Sequence, residues 1–170
     1  MELGMIGLGR MGANMARRLA RGGHRVVGFD PAPAAREALA ADGIETVDSL
    51  EGLVDALAAP RVAWTMVPAG RITDETVDAL AVLLQRGDAI VDGGNSNYKD
   101  TQRRAATLQP RGIDYLVAGT SGGVWGLQEG YSLMVGGDAA AAERLRPIFA
   151  TLAPAPDRGW GRVGPVGAGH

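Results

Sequence analysis

The sequence predicts a doubly wound α/β domain, a mostly parallel sheet with helices on both faces. Three observations carry that expectation. Short strand-like runs alternate with helix-length segments from the first residue onward, the order that builds parallel sheets. The chain has 170 residues, 46% apolar and 21% charged, the size and balance of one ordinary domain with a real core. Glycine occurs 26 times, about twice the usual share of roughly 7%, and it clusters where the backbone must turn sharply or come close to something.

The expected strands are Glu2 to Ile6, Arg25 to Phe29, Ile44 to Val47, Val62 to Val67, Ala89 to Val91, Ile113 to Val117 and Tyr131 to Val135. Between the first two, Met11, Met15 and Leu19 fall at i, i+4 and i+8 and form one apolar stripe. Arg17, Arg18 and Arg21 sit in the last turns of that helix, where cations suit its dipole, and Gly22 and Gly23 stop it. Further helices are expected over Pro33 to Ala41, Ser49 to Ala58, Thr73 to Leu84, Lys99 to Leu108 and Asp138 to Leu152, with Ser49 and Asp138 as N-caps. The tail from Ala153 is rich in proline and glycine and shows no element of its own. The expected organisation is therefore a domain over 1–153 and a connection over 154–170.

Composition excludes several classes of function. Seventeen basic against nineteen acidic residues leave a formal charge of -2 with no basic block, so neither nucleic acid nor an anionic membrane surface is an expected partner. With no cysteine, disulfides, thiolate metal sites and a cysteine nucleophile are excluded. No apolar run approaches the roughly 20 residues that span a bilayer, and the first residues lack the shape of a signal peptide, so the expected location is cytoplasmic.

Gly7-Leu8-Gly9-Arg10-Met11-Gly12 follows the first strand and opens the first helix, the setting in which G-x-G-x-x-G binds the pyrophosphate of a dinucleotide. Gly7 permits the turn, Gly9 lets the backbone approach the anion, and Gly12 lets the helix pack near the strand, a Rossmann-like arrangement. The alternative is a tight strand-to-helix turn with no ligand. Asp30, at the end of the second strand, can accept hydrogen bonds from an adenosine ribose and repel a 2′-phosphate, which favours NAD over NADP. Arg36, one helical turn on, is the cation that could reverse this, and Asp30 could instead cap the following helix.

Three loops lie at the carboxyl ends of later strands, where ligands bind in such sheets. Val67-Pro68-Ala69-Gly70 offers a crevice without bulky side chains, or a plain turn. Asp92-Gly93-Gly94-Asn95-Ser96-Asn97 combines backbone donors with an amide able to bond both a nicotinamide and a hydroxylated substrate, or serves as a helix entry. Gly119-Thr120-Ser121-Gly122-Gly123 presents a concave row of N–H donors suited to a carboxylate, with Trp125 either walling the pocket or packing ordinarily.

These stretches resemble 6-phosphogluconate dehydrogenase, within the beta-hydroxyacid dehydrogenases. The likeness runs through Gly7 to Met15, Met66 to Gly70, Asp92 to Tyr98, Gly119 to Gly126, Leu133 to Gly137 and the terminal Gly167-Ala168-Gly169-His170, in family order. Asp-Gly-Gly-Asn-Ser and Thr-Ser-Gly-Gly-Val-Trp-Gly are similar to the short, NAD-preferring branch. Relatives acting on 3-hydroxyisobutyrate carry Asp-x-Ser-Thr where Gly93 to Ser96 stand here, which makes them the second reading. The resemblance implies that Gly7, Leu8, Gly9, Arg10, Met11, Gly12, Asp30, Val67, Pro68, Ala69 and Asn95 contact the nucleotide. It implies that Asn95, Ser121, Gly122 and Gly123 contact a sugar-acid phosphate.

The family oxidises the C3 hydroxyl of 6-phosphogluconate, decarboxylates the resulting 3-keto acid and protonates the enediol to ribulose 5-phosphate, without a metal. Its base, a lysine, and its acid, a glutamate, lie on a helix that begins at the Gly-Ala-Gly-His stretch, so no catalytic residue is expected within this chain. The resemblance also implies a further all-helical domain that binds substrate and makes a homo-oligomer. Within the chain, Lys99 is expected to be a solvated side chain in a first helical turn, His24 a surface residue on the edge away from ligands, and His170 a residue without support. A stand-alone NAD-binding module without catalysis is the remaining alternative.

Overall fold

A computed structural model describes residues 1–155 and 157–168 of the chain. Eight strands form one sheet: β1 (Glu2–Ile6), β2 (Arg25–Phe29), β3 (Glu45–Val47), β4 (Val62–Thr65), β5 (Ala89–Asp92), β6 (Asp114–Ser121), β7 (Ser132–Gly136) and β8 (Trp160–Gly164). Their spatial order is β3-β2-β1-β4-β5-β6-β7-β8. The first six run parallel, β7 is antiparallel to β6, and β8 is parallel to β7. The chain order reverses at β1, which lies between β2 and β4, and that reversal opens a crevice at the carboxyl edge of the sheet.

Strand residues alternate between two cores because successive side chains point to opposite faces. Leu3 and Met5 of β1, Trp64 of β4 and Val91 of β5 pack on one face, against α1 (Arg10–Arg21), α7 (Ala139–Arg144) and α8 (Arg146–Leu152). Ile6, Ala63 and Ile90 pack on the other, against α3 (Leu50–Asp55), α4 (Arg71–Leu83) and α5 (Tyr98–Leu108). Two short helices, α2 (Pro33–Ala40) and α6 (Gly126–Glu129), complete the set. Of the stripe Met11, Met15 and Leu19 on α1, Met15 and Leu19 are fully buried and Met11 is half-buried against the core. Ser49 and Asp138 accept hydrogen bonds from the backbone N–H groups of Gly52 and Ala141, both at 2.9 Å, and so cap α3 and α7.

Three expectations change. The helix expected over Asp138 to Leu152 is broken at Leu145, because Pro147 in the first turn of α8 supplies no N–H to a continuous helix. The sixth strand runs on to Ser121, where it gains β7 as an antiparallel neighbour. The segment beyond 153, expected to carry no element, contributes β8. Trp160 of β8 packs on Phe149 of α8 with ring centroids 5.3 Å apart, and the Arg146 guanidinium lies 5.0 Å above the Trp160 ring. The expectations for Gly169 and His170 fall outside the described residues.

Arg18, expected to act on the dipole of its own helix, instead reaches across the fold. Its guanidinium donates to the carbonyl oxygens of Thr151 at 2.9 Å, Ala153 at 2.7 Å and Leu127 at 3.3 Å, and so ties α1 to the ends of α6 and α8. No helix among the described residues is long and apolar enough to cross a membrane.

Candidate functional site

The chain leaves β1 through Gly7, whose φ of +93° is the left-handed conformation that favours glycine. Its N–H donates to the Phe29 carbonyl at 2.9 Å, which holds the turn to the end of β2. A side chain at Gly12 would overlap the Gly7 carbonyl oxygen, so glycine there sets how closely α1 approaches the strand. At Gly9 an added Cβ would meet none of the described residues within 4 Å. Gly9 is the N-cap of α1 and supplies no side-chain cap, and the first turn holds no acidic residue. The first N–H groups and the positive end of the helix dipole therefore face open space, a cradle for an anion. Leu8 is buried in the core, so it offers only its backbone, while Arg10 is exposed and Met11 is half-buried against the core.

Asp30 follows β2 directly, and one of its oxygens accepts a hydrogen bond from the Leu8 N–H at 2.8 Å. The other accepts from the Ala32 N–H at 2.8 Å. Asp30 thus braces the glycine loop; it does not cap α2, whose N-cap is Ala32. The Arg36 guanidinium donates to the carbonyl oxygens of Asp30 at 2.8 Å and Pro31 at 3.2 Å, so a cation stands beside the acidic group.

A cleft of about 420 Å³ opens between the ends of β1, β2 and β4. It is lined by Gly7, Gly9, Asp30, Val67 and Pro68, together with Leu50, Ile72 and Thr76. Ala69 is exposed and lies outside that lining. Leu50, Ile72 and Thr76 were not singled out from the sequence; the one signal was an apolar Ile72 in the polar first turn of a helix, where it stays 48% exposed.

A second cleft, of about 490 Å³, lies further along the same edge between the ends of β5 and β6. Asn95 and Ser121 line it together with Thr120, Ser132 and Met134. Gly122 and Gly123 follow Ser121 directly and fall outside that lining. The Tyr131 ring lies under this turn, where side chains at Gly122 or Gly126 would collide with it. Trp125 walls neither cleft and is 64% exposed.

The loop that presents Asn95 is pinned from behind. Asp92, fully buried at the end of β5, accepts from the Gly94 N–H at 3.0 Å on one oxygen. The other oxygen accepts from the Ser96 hydroxyl at 3.1 Å and the Tyr115 hydroxyl at 2.8 Å. Burial, reinforced by the adjacent Asp92 carboxylate, pushes the Tyr115 phenol far above its ordinary range, so it stays a hydrogen-bond donor. Asn97 caps α5 through the Lys99 N–H at 2.8 Å, and Lys99 itself is exposed, as expected. His24 lies in the turn before β2, bonded to Thr151 and the Met1 amino group, and it lines neither cleft.

Such an edge can hold an elongated ligand with an anionic centre over Gly9, a hydroxylated end near Asp30 and a polar end near Asn95. The model of the NAD binding domain of 6-phosphogluconate dehydrogenase matches residues 2–161. The chain is 45% identical over its whole length to the NAD(+)-dependent, decarboxylating 6-phosphogluconate dehydrogenase of Haloferax volcanii and covers 56% of that protein. Among solved structures it superposes on Plasmodium falciparum 6-phosphogluconate dehydrogenase with a TM-score of 0.92 at 25% identity, covering 99% of this chain and 38% of that one. It superposes on Mycobacterium tuberculosis 3-hydroxyisobutyrate dehydrogenase with a TM-score of 0.89 at 31% identity, covering 99% of this chain and 56% of that one. The chain thus spans from 38% to 56% of the length of these dehydrogenases, and it belongs to the NAD-binding domain family of 6-phosphogluconate dehydrogenase.

Proposed function

We propose that this chain is the nucleotide-binding part of an enzyme that oxidatively decarboxylates 6-phosphogluconate to ribulose 5-phosphate with NAD. The observation that carries the reading is the open side of Gly9 at the start of α1, facing a cleft that also contains Asp30. NAD would lie with its pyrophosphate on the N–H groups of Gly9 to Gly12, its adenosine ribose at Asp30 and its nicotinamide end at Asn95, with Val67, Pro68 and Ala69 along its length. Bound there, it supplies the acceptor for the hydride of the substrate's C3 carbinol. Asn95 and Ser121 orient the sugar acid, and the N–H groups of Gly122 and Gly123 hold its carboxylate until carbon dioxide leaves. The base that takes the C3 hydroxyl proton and the acid that protonates the enediol are a lysine and a glutamate of the helical part. The complete protein is a cytoplasmic homo-oligomer formed through that part.

A second reading, a dehydrogenase of the 3-hydroxyisobutyrate type, is favoured by the superposition on the Mycobacterium tuberculosis enzyme. Gly93-Gly94-Asn95-Ser96 argues against it. The test is a calorimetric titration of the chain with NAD and with NADP at one ionic strength, followed by assay of the protein carrying its helical part. Tighter NAD binding and turnover of 6-phosphogluconate in preference to 3-hydroxyisobutyrate are expected. Nucleotide binding without turnover of either substrate leaves a non-catalytic module, and binding of neither nucleotide overturns the reading.

A further inference from the structure

Arg104, on α5, is a buried cation that no part of the nucleotide reading uses; only 4% of its surface is exposed. Its Nε donates to Asp74 of α4 at 2.8 Å. One terminal nitrogen reaches the Ser96 hydroxyl at 3.3 Å and stands 3.8 Å from the Asp92 carboxylate. The other reaches the Gly70 carbonyl at 3.4 Å. A single guanidinium therefore joins the loop after β4, the first turn of α4 and the loop after β5. A lysine ammonium, a point charge, cannot span three such separate acceptors.

We propose that Arg104 is a positioning residue that sets the place of Asn95 at the second cleft; this deepens the nucleotide reading and rests on it. Asn95 stands on a crest whose two neighbours, Gly94 and Ser96, are each bonded to a different oxygen of Asp92. That staple holds Asn95 only while Asp92 keeps one orientation, and Arg104 meets both the Asp92 carboxylate and the Ser96 hydroxyl from behind. The same guanidinium grips Asp74 and Gly70, which border the start of α4, and α4 supplies Ile72 and Thr76 to the first cleft. Arg104 thus fixes the crest carrying Asn95 relative to the wall of the neighbouring cleft. Replacing a buried ion pair with apolar groups is often neutral or stabilising, while removing one partner is costly, so the pair is weak evidence of a stability role, and control of a loop's position accounts for the buried cation.

The experiment compares the full 170-residue chain with R104M, R104K and S96A by amide-resolved NMR, first without ligand and then titrated with NAD. Without ligand, hydrogen exchange at Gly94 to Asn97 is expected to rise at least tenfold in R104M, less in R104K and S96A, and to stay unchanged at Leu8 to Met11. With NAD, shifts at Leu8 and Gly9 persist in R104M, while those at Gly94 and Asn95 are lost and return in part in R104K. Exchange rising equally in both loops, or in neither, overturns the positioning role. If R104M does not fold, R104K decides the question, since it keeps the buried positive charge but gives up the guanidinium's simultaneous reach to Asp74, Gly70 and Ser96. Absence of any NAD-induced shift in the unmodified chain sinks the nucleotide reading instead, and the ligand-free exchange pattern still decides whether Arg104 holds the loop.

Discussion

Replacing Gly9 and Gly12 separately by alanine divides the tasks of the glycine loop. At Gly9 the backbone has φ -63°, within alanine's range, and an added methyl would meet none of the described residues within 4 Å. Alanine is a worse N-cap than glycine by about 0.5–1 kcal/mol, while loss of glycine's freedom in the unfolded chain returns about 0.4–1 kcal/mol. G9A should therefore keep its stability to within about 0.5 kcal/mol. The methyl would stand where the pyrophosphate must approach, and each charge-assisted hydrogen bond lost costs about 1.5–3 kcal/mol, or roughly 10- to 150-fold in affinity. At Gly12 the methyl would overlap the Gly7 carbonyl, so α1 must shift. Overpacking of that kind costs about 1–3 kcal/mol, or roughly 2–12 °C in melting temperature for a domain of this size. Calorimetric titration with NAD and urea unfolding measure both quantities on the same samples. NAD binding by G9A as tight as that of the unmodified chain would falsify the assignment of this loop to the pyrophosphate.

Further outcomes follow from other residues. D30N can keep only one of the two backbone bonds, since its amide nitrogen cannot accept, and removes a charge that at about 4 Å would oppose a 2′-phosphate by roughly 4 kcal/mol at an effective dielectric of 20, so its NADP-to-NAD affinity ratio should rise at least tenfold; an unchanged ratio in parallel titrations assigns selection elsewhere. Tyr131 is fully buried and its hydroxyl has no hydrogen-bond partner among the described residues, so Y131F should be more stable by about 1 kcal/mol in urea, and a loss of stability contradicts this. F149A empties a site between Trp64 and Trp160 and should cost about 3–5 kcal/mol, which chemical denaturation can measure. Burial and the Met1 ammonium hold His24 below its ordinary value of 6.5, so the unfolded chain takes up that proton first. The stability His24 contributes is present above pH 6.5 and is lost as the pH falls from there towards its folded value. Melting curves of H24Q should be flatter across that window, and an equal slope refutes the assignment.

The sheet was legible where local rules decide it. Gly7, Gly9 and Gly12 declare a strand, a turn and a helix within six residues, and Ser49 and Asp138 announce their helices because a cap bonds its own first turn. Pro147 was a local signal too, and the break at Leu145 follows from it. β8 was not legible, because Trp-Gly-Arg-Val-Gly becomes a strand only when Trp160 finds Phe149 and Arg146. Asp30 was placed correctly at the end of β2, but its bond to the Leu8 N–H joins residues 22 apart and has no sequence signature. Nothing in the sequence marks Arg104. Its burial depends on Asp74, 30 residues earlier, which neither propensity nor periodicity encodes.

The span of Arg18 sets a schedule for the making of this protein. The helix that opens the glycine loop is among the first elements to leave the ribosome, yet the carbonyl at Ala153 that receives its guanidinium lies 135 residues downstream. At about 5–20 residues per second, translation takes roughly 7–27 s to supply that acceptor. Until then at most the carbonyl at Leu127 is there to receive the guanidinium, and the segment that frames the cofactor cleft lacks its final anchor. The first part of the cleft to be synthesised is thus among the last to be locked.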